Sequence, residues 1–305
     1  MQQQTLIKST VFLAGLLASA FACAQPYGYV VNSDGYEVPD EQIDNLYRIN
    51  LATGDAERLG PTGFLDIEGL AFSPNGDLLG ADDESNSLLV IDQHSGLATA
   101  VEGLSGNLRL PATQVLDFGL AYTCNHLYAS SDNLSTLYRL NRETGEASLI
   151  GNTGVAITGL ASYNNTLYGI GAGESAPALY RINTDNGSAE LIGMLGGAVA
   201  AYVDAGLDFD ADGRLWAITD RRNVNGGNNP SQILEIDPET GIATLVAETL
   251  VGIEGMAIAP PGGCGTNGGG GMLPPTAVPA LSLGGLISAG LLLLLSGLIL
   301  LRRRA

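Results

Sequence analysis

Lysine is almost missing from this chain. The only one, Lys8, precedes an apolar run near the start. Between residues 25 and 275 the basic side chains are nine arginines, set against all 32 acidic residues. Nine against thirty-two leaves that stretch with a formal charge of −23. A surface this acidic repels phosphate backbones and anionic head groups, which argues against nucleic acid as a partner. It suits a well-solvated exported surface. Histidine is nearly as scarce, with only His94 and His126, and no G-x-S-x-G elbow occurs. A histidine-dependent triad therefore has little to draw on. Of the three cysteines, Cys23 falls inside the leader described below, leaving Cys124 and Cys264 without C-x-x-C or zinc-type spacing.

Glycine, by contrast, is abundant, with 42 copies, and the apolar fraction is 45%. That balance suits many short strands joined by turns. Both ends differ from the middle. Residues 1–24 run from Lys8 through VFLAGLLASAFA to Ala22-Cys23-Ala24, the layout of a signal peptide with an A-x-A cleavage site. Phe21 and Ala20 stand where a lipobox needs a small residue and Leu. Residues 280–301 are without charge and are followed by Arg302-Arg303-Arg304, which predicts a transmembrane helix with the arginines on the cytoplasmic side. Residues 262–277, rich in Gly and Pro, read as a flexible linker.

The middle repeats itself. LYRLNRETGEASLIG at 137 returns as LYRINTDNGSAELIG at 179, with looser copies starting at 46, 88 and 233. The spacings of 42, 49, 42 and 54 match the period of about 45 residues of β-propeller blades. Each copy reads as a hairpin whose Gly supplies positive φ in the turn. A second repeated hairpin precedes four of them: EGLAFSPNGDLLGAD at 68, FGLAYTCNHLYASS at 118, TGLASYNNTLYGIG at 158 and AGLDFDADGRLWAIT at 205. Two hairpins make one four-stranded blade, strands a to d, with the Gly-Leu strand innermost. The hairpin at 46 lacks its own strand a, whereas GIEGMAIAPP at 252 has nothing after it. The sequence thus predicts an all-β, five-bladed β-propeller over 25–261, closed by pairing the C-terminal strand with the N-terminal blade, plus one C-terminal transmembrane helix.

The blades resemble secreted propeller repeats with a Tyr-x-Ile-Asp…Thr-Gly signature, a broad class that says little about chemistry. Residues 278–305 resemble the IPTL-type sorting signal of Gram-negative bacteria. Val278-Pro279-Ala280-Leu281-Ser282 matches the start of its motif and Gly285 its glycine, while Gly284 stands where Trp is usual and Ala280 where Thr is. That resemblance implies export across the inner membrane, temporary anchoring, recognition by a sorting protease of exosortase type, and delivery to the outer surface or release.

Function is expected on the face that carries the b–c loops, which vary in length and are polar, whereas the a–b and c–d turns are short and alike. Strand a starts on that loop face, and Asp66, Glu68, Asp117, Asp204 and Glu254 precede its glycines. Glu68, Asp117, Asp204 and Glu254 are the candidate ligands for a divalent cation such as calcium at the channel mouth; the competing reading is a solvated acidic rim. Asp208, Asp210 and Asp212 in DFDADG have the spacing of half a calcium loop. Thr219 stands where the bidentate Glu belongs, and SPNG at 73 occupies the same turn without the acids, which favours a plain hairpin. Cys124, in an a–b turn, and Cys264, beyond the last strand a, fall on one face two blades apart, and a disulfide forms if the glycine linker folds inward. The functional expectation is a noncatalytic binding module at the cell surface with an unspecified extracellular ligand. The alternative is a metal-dependent hydrolase, because Glu68-Gly69 and Glu254-Gly255 resemble the metal-ligating start of gluconolactonase-type propellers.

Overall fold

The computed structural model describes residues 26–32, 44–110, 117–171, 177–222 and 224–264. The expected signal peptide over 1–24, most of the expected linker and the expected sorting tail with its helix lie outside the described residues. Among the described residues no helix is long and apolar enough to cross a membrane.

Twenty strands form five antiparallel four-stranded sheets. Blade 1 holds β1 (Tyr27–Asn32), β2 (Asn45–Asn50) and β3 (Ala56–Pro61). Blade 2 runs through β4 (Ile67–Phe72), β5 (Leu78–Asp82), β6 (Ser87–Ile91) and β7 (Ala98–Ala100). Blade 3 holds β8 (Phe118–Tyr122), β9 (Leu127–Ser131), β10 (Thr136–Leu140) and β11 (Ala147–Asn152). Blade 4 holds β12 (Ile157–Tyr163), β13 (Thr166–Gly171), β14 (Ala178–Ile182) and β15 (Ala189–Met194). Blade 5 holds β16 (Asp204–Phe209), β17 (Leu215–Asp220), β18 (Gln232–Ile236) and β19 (Ala243–Glu248). The last strand, β20 (Ile253–Ala257), pairs with β1 and supplies strand a of blade 1. The expected closure is therefore present.

The c–d turn of the repeat has one construction throughout. In blade 3 the Asn141 carboxamide oxygen accepts the backbone N–H groups of Glu143 and Thr144, and Gly145 N–H bonds back to the Asn141 carbonyl. Asp92, Asn183 and Asp237 do the same in their own blades. An Asn or Asp at this place caps the turn, and the Gly four residues on takes positive φ. The Ile-Gly that ends the repeat has a separate cause. A Cβ on Gly151 would stand 2.0 Å from the carbonyl oxygen of Asn186, which lies in the c–d turn of the next blade. In blades 1, 3 and 4 the outer strand, at Gly60, Gly151 and Gly193, leaves a notch that receives its neighbour's turn.

Among the described residues the apolar core is divided and not central. Five apolar clusters lie between successive blades, for example Leu79, Leu88 and Leu108 of blade 2 against Phe118, Leu127 and Tyr138 of blade 3. Alternate side chains of one strand go to different neighbours. Tyr138 and Leu140 pack toward blade 2, and Leu137 toward blade 4. Both faces of the inner strands are thus buried, which is why they read as nearly continuous apolar runs.

Around the axis the five strands a pack edge to edge on glycine. A Cβ on Gly69 would meet the Phe118 carbonyl oxygen at 2.7 Å, on Gly119 that of Thr158 at 2.6 Å, on Gly159 that of Ala205 at 2.3 Å. On Gly206 it would meet that of Glu254 at 2.5 Å and on Gly255 that of Glu68 at 2.7 Å. The five contacts close a ring, and the channel inside leaves a void of about 10 Å³, room for roughly one water molecule.

Candidate functional site: the acidic mouth of the channel

The channel has two unlike ends. At the end carrying the a–b and c–d turns, the chain beyond β20 folds across the opening. Ala259 and Pro261 line that end beside Leu70 and Leu120. Gly262 bridges to Tyr163 in parallel, and Asn164 N–H donates to the Gly262 carbonyl at 3.0 Å. Cys264 is disulfide-bonded to Cys124 with a Cα–Cα distance of 5.3 Å. The first residues of the glycine-rich stretch are therefore docked against blades 3 and 4.

Asp208, Asp210 and Asp212 belong to this sealed end, and the structure gives the first two separate tasks. One Asp208 oxygen accepts Ile258 N–H at 2.7 Å and so holds the crossing segment. The other accepts Phe209 N–H at 2.8 Å. Asp210 accepts Asp212 N–H and Arg214 N–H with one oxygen, and Arg214 Nε and Trp216 Nε1 with the other. Asp212 is exposed. The turn is a hairpin closed by Asp210 N–H to the Arg214 carbonyl, just as Ser73 N–H bonds to the Asp77 carbonyl in blade 2.

The other end is the mouth, and it is strongly acidic. Glu68, Asp117, Asp204 and Glu254 come from four blades, and the structure brings their fields together. Burial above all holds the Glu68 carboxyl well above its ordinary range, and Glu254, Asp204, Asp66 and Asp117 push it the same way. Glu254 is also raised, first by burial, then by Asp204 and Asp220, with Arg222 opposing. Burial pushes Asp204 up to about 6 despite the bond from Ala205 N–H. Glu68 and Glu254 are only 8% and 5% exposed, and Oε2 of each is buried without a hydrogen-bond partner.

Register explains how acids at two sequence positions reach one mouth. In blade 2, Ile67 pairs with Asp82 and Gly69 with Ala81, so Glu68 is the extra residue of a β-bulge. The pairing of β20 with β1 is shifted in the same way around Glu254. Blade 4 repeats the bulge with Thr158 in this place. Blades 3 and 5 pair regularly, and there the acid stands one residue earlier, as Asp117 and Asp204.

Several site residues escape the sequence reading. Asp132 is pushed up to about 8 by burial and then by Asp117 and Asp204. Asp117 itself accepts Asn133 Nδ2 at 2.5 Å. Arg222 is the basic side chain within the cluster, 3.1 Å from Glu254 and 3.6 Å from Asp220. Asp83 approaches Asp66 and Glu68 so that one carboxylate oxygen of each lies within 4.8 Å of the others. Asp83, Asp132 and Arg222 all stand where the chain leaves strand b. The polar stretches DDESNS, SSDNLS and TDRRNVNGGNNP marked the region without ranking its members. His94 and His126 lie in a c–d and an a–b turn, on the sealed side.

Fold and site together define a five-bladed β-propeller with an acidic mouth and a sealed lower end. No family model matches the chain, and no curated protein matches it. Solved structures resemble it in fold. The nidogen/laminin complex matches at 14% identity and TM-score 0.48 over 76% of this chain and 98% of the other. TolB from Acinetobacter baumannii matches at 13% and 0.45 over 74% and 54%. The symmetrical protein of a study on de novo evolutionary emergence under folding constraints matches at 16% and 0.45 over 77% and 99%. Likeness of this degree carries no ligand or activity across.

Proposed function

We propose that this chain is an exported, surface-directed, noncatalytic binding module whose working face is the acidic mouth. The observation that carries the reading is the convergence of carboxylates from four blades on the loop-bearing face, above a channel with room for roughly one water molecule. Such a rim attracts positively charged groups of a partner, and the narrow channel gives no chamber for an organic substrate. The leader and the IPTL-like tail, read from sequence, supply the route: passage through the inner membrane, anchoring, then processing by an exosortase-type protease. The lactonase-type alternative is not favoured. It rests on two Glu-Gly steps, and Glu254 of one is engaged by Arg222.

Antibodies against the propeller applied to intact cells test the location, because residues 25–275 carry no lysine for amine-directed labelling. Labelled chain, with a C-terminus near Val278 by mass spectrometry, is the expected result. Labelling only after lysis overturns the surface reading, and lactone turnover abolished by Glu68→Gln replaces binding with catalysis.

A further inference from the structure

We propose that the mouth holds one divalent cation of the calcium type on Asp66, Glu68 and Asp83, at the blade 2 side of the rim. The proposal deepens the reading of the mouth as a binding face and names one ligand of that face.

The ligand set differs from the one suggested by sequence. Glu68, Asp117, Asp204 and Glu254 share a field but do not converge on one point: Asp117 goes to Asn133 and Asp132, Asp204 to Ala205 N–H and to Glu68, Glu254 to Arg222. The set that closes on a point lies within one blade. One oxygen from each of Asp66, Glu68 and Asp83 falls within 4.8 Å of the other two. Oxygens bound at about 2.3–2.6 Å to a shared calcium ion lie up to about 5 Å apart, so this separation is compatible with one ion.

The backbone builds this arrangement without help from an ion. Asp83 N–H donates to the Asp66 carbonyl at 3.1 Å, and Asp66 N–H donates to Asp82 Oδ1 at 3.0 Å. Those bonds tie the end of the d–a connection to the end of strand b. Glu68 is then delivered between them by its bulge, since Ile67 and Gly69 take the flanking ladder positions.

A second observation points to a ligand. Glu68 is more than nine-tenths buried, and its Oε2 has no hydrogen-bond partner. A buried carboxylate oxygen left so is costly. The groups acting on Glu68 are acids, and Arg222 is taken up by Glu254 and Asp220. A cation satisfies this oxygen and relieves three carboxylates at once. The donors are hard oxygens, with no imidazole or thiolate among them, which selects calcium over zinc or copper.

The test is isothermal titration of calcium chloride into the full chain stripped with EDTA. The expected result is one ion per chain, with binding weakened about tenfold or more in Asp83→Asn and in Glu68→Gln. Asp208→Asn, at the sealed end, binds as the parent does, and circular dichroism confirms that every variant is folded. No binding by the parent, or equal binding by the parent and a folded Asp83→Asn, overturns the proposal. Neither outcome decides the surface-labelling experiment that tests the exported binding-module reading.

Discussion

At the scale of single residues, glycine sets the geometry. Gly159 has an ordinary backbone conformation, so its identity is fixed by space alone. A methyl group there would lie 2.3 Å from the Ala205 carbonyl oxygen and 2.9 Å from Ile170 Cγ2. The backbone of blade 5 would have to move, and the ring of contacts leaves it nowhere to go. Gly159→Ala should therefore cost about 3 kcal/mol or more, at the upper end of overpacking. Gly197 has open space around it and no positive φ. Gly197→Ala should be neutral or stabilise by about 0.5 kcal/mol, because it restricts only the unfolded chain. Urea unfolding of both variants checks the contrast; a cost at Gly159 no larger than at Gly197 would show that the inner strands can spread. The repeated Gly-Leu was visible in sequence, and its innermost place could be read from that. The carbonyl that each glycine receives belongs to the next blade, and no local pattern records it.

At the scale of elements, the decisive features are turns, bulges and the crossing tail. The c–d turns were legible because Asn or Asp, then Thr, Ser or Asn three residues on, then Gly recurs at fixed offsets. The bulges were not. Ile67-Glu68-Gly69 and Asp117-Phe118-Gly119 differ by where the acid stands, but only pairing with strand b shows that one is bulged and the other regular. Residues 262–264 of the crossing tail looked like the start of a spacer because their partners, Asn164 and Cys124, are distant in sequence; Asp208 holds the tail's first residue, Ile258. Asp208 gives this element a pH dependence. Burial pushes its carboxyl up to about 7, while the N–H groups of Ile258, Phe209 and Ala259 pull it back. Between the ordinary carboxyl range and pH 7 the folded chain keeps a proton that the unfolded chain has released. Stability is then greatest at low pH within that window and falls as pH rises through 7. Melting temperature in EDTA should drop between pH 5 and pH 8. Asp208→Asn, which keeps an acceptor for Ile258 N–H and cannot ionise, should flatten the drop. Part of the slope should remain, since Asp204 and Asp132 are shifted in the same sense. A slope unchanged by Asp208→Asn would assign all of it to the mouth.

At the scale of the whole molecule, stability resides in five interfaces between blades and in the joint that makes the ring. Sequence revealed the joint because the count of hairpins was uneven: a blade without strand a at one end and a strand a without a blade at the other. Two devices hold it. β20 pairs with β1, and the disulfide ties residues 140 positions apart. They should fail differently. Cys264→Ser removes a cross-link whose effect lies mainly in the unfolded chain and should cost about 2–4 kcal/mol while leaving one cooperative transition. A chain ending at Val251 loses β20 altogether. It uncovers Val30 and Val31, leaves β1 as an open edge, and removes the Glu254 carbonyl against which Gly206 packs. With one interface missing from a ring whose members pack chiefly against their neighbours, the remaining blades should melt over a broad range and aggregate through that edge. The peptide corresponding to residues 252–264, added in trans, should restore a single sharp transition by filling the vacant place. Calorimetry of the three samples decides the matter: a sharp transition in the truncated chain, close to that of Cys264→Ser, would mean that four complete blades support themselves and that closure adds little.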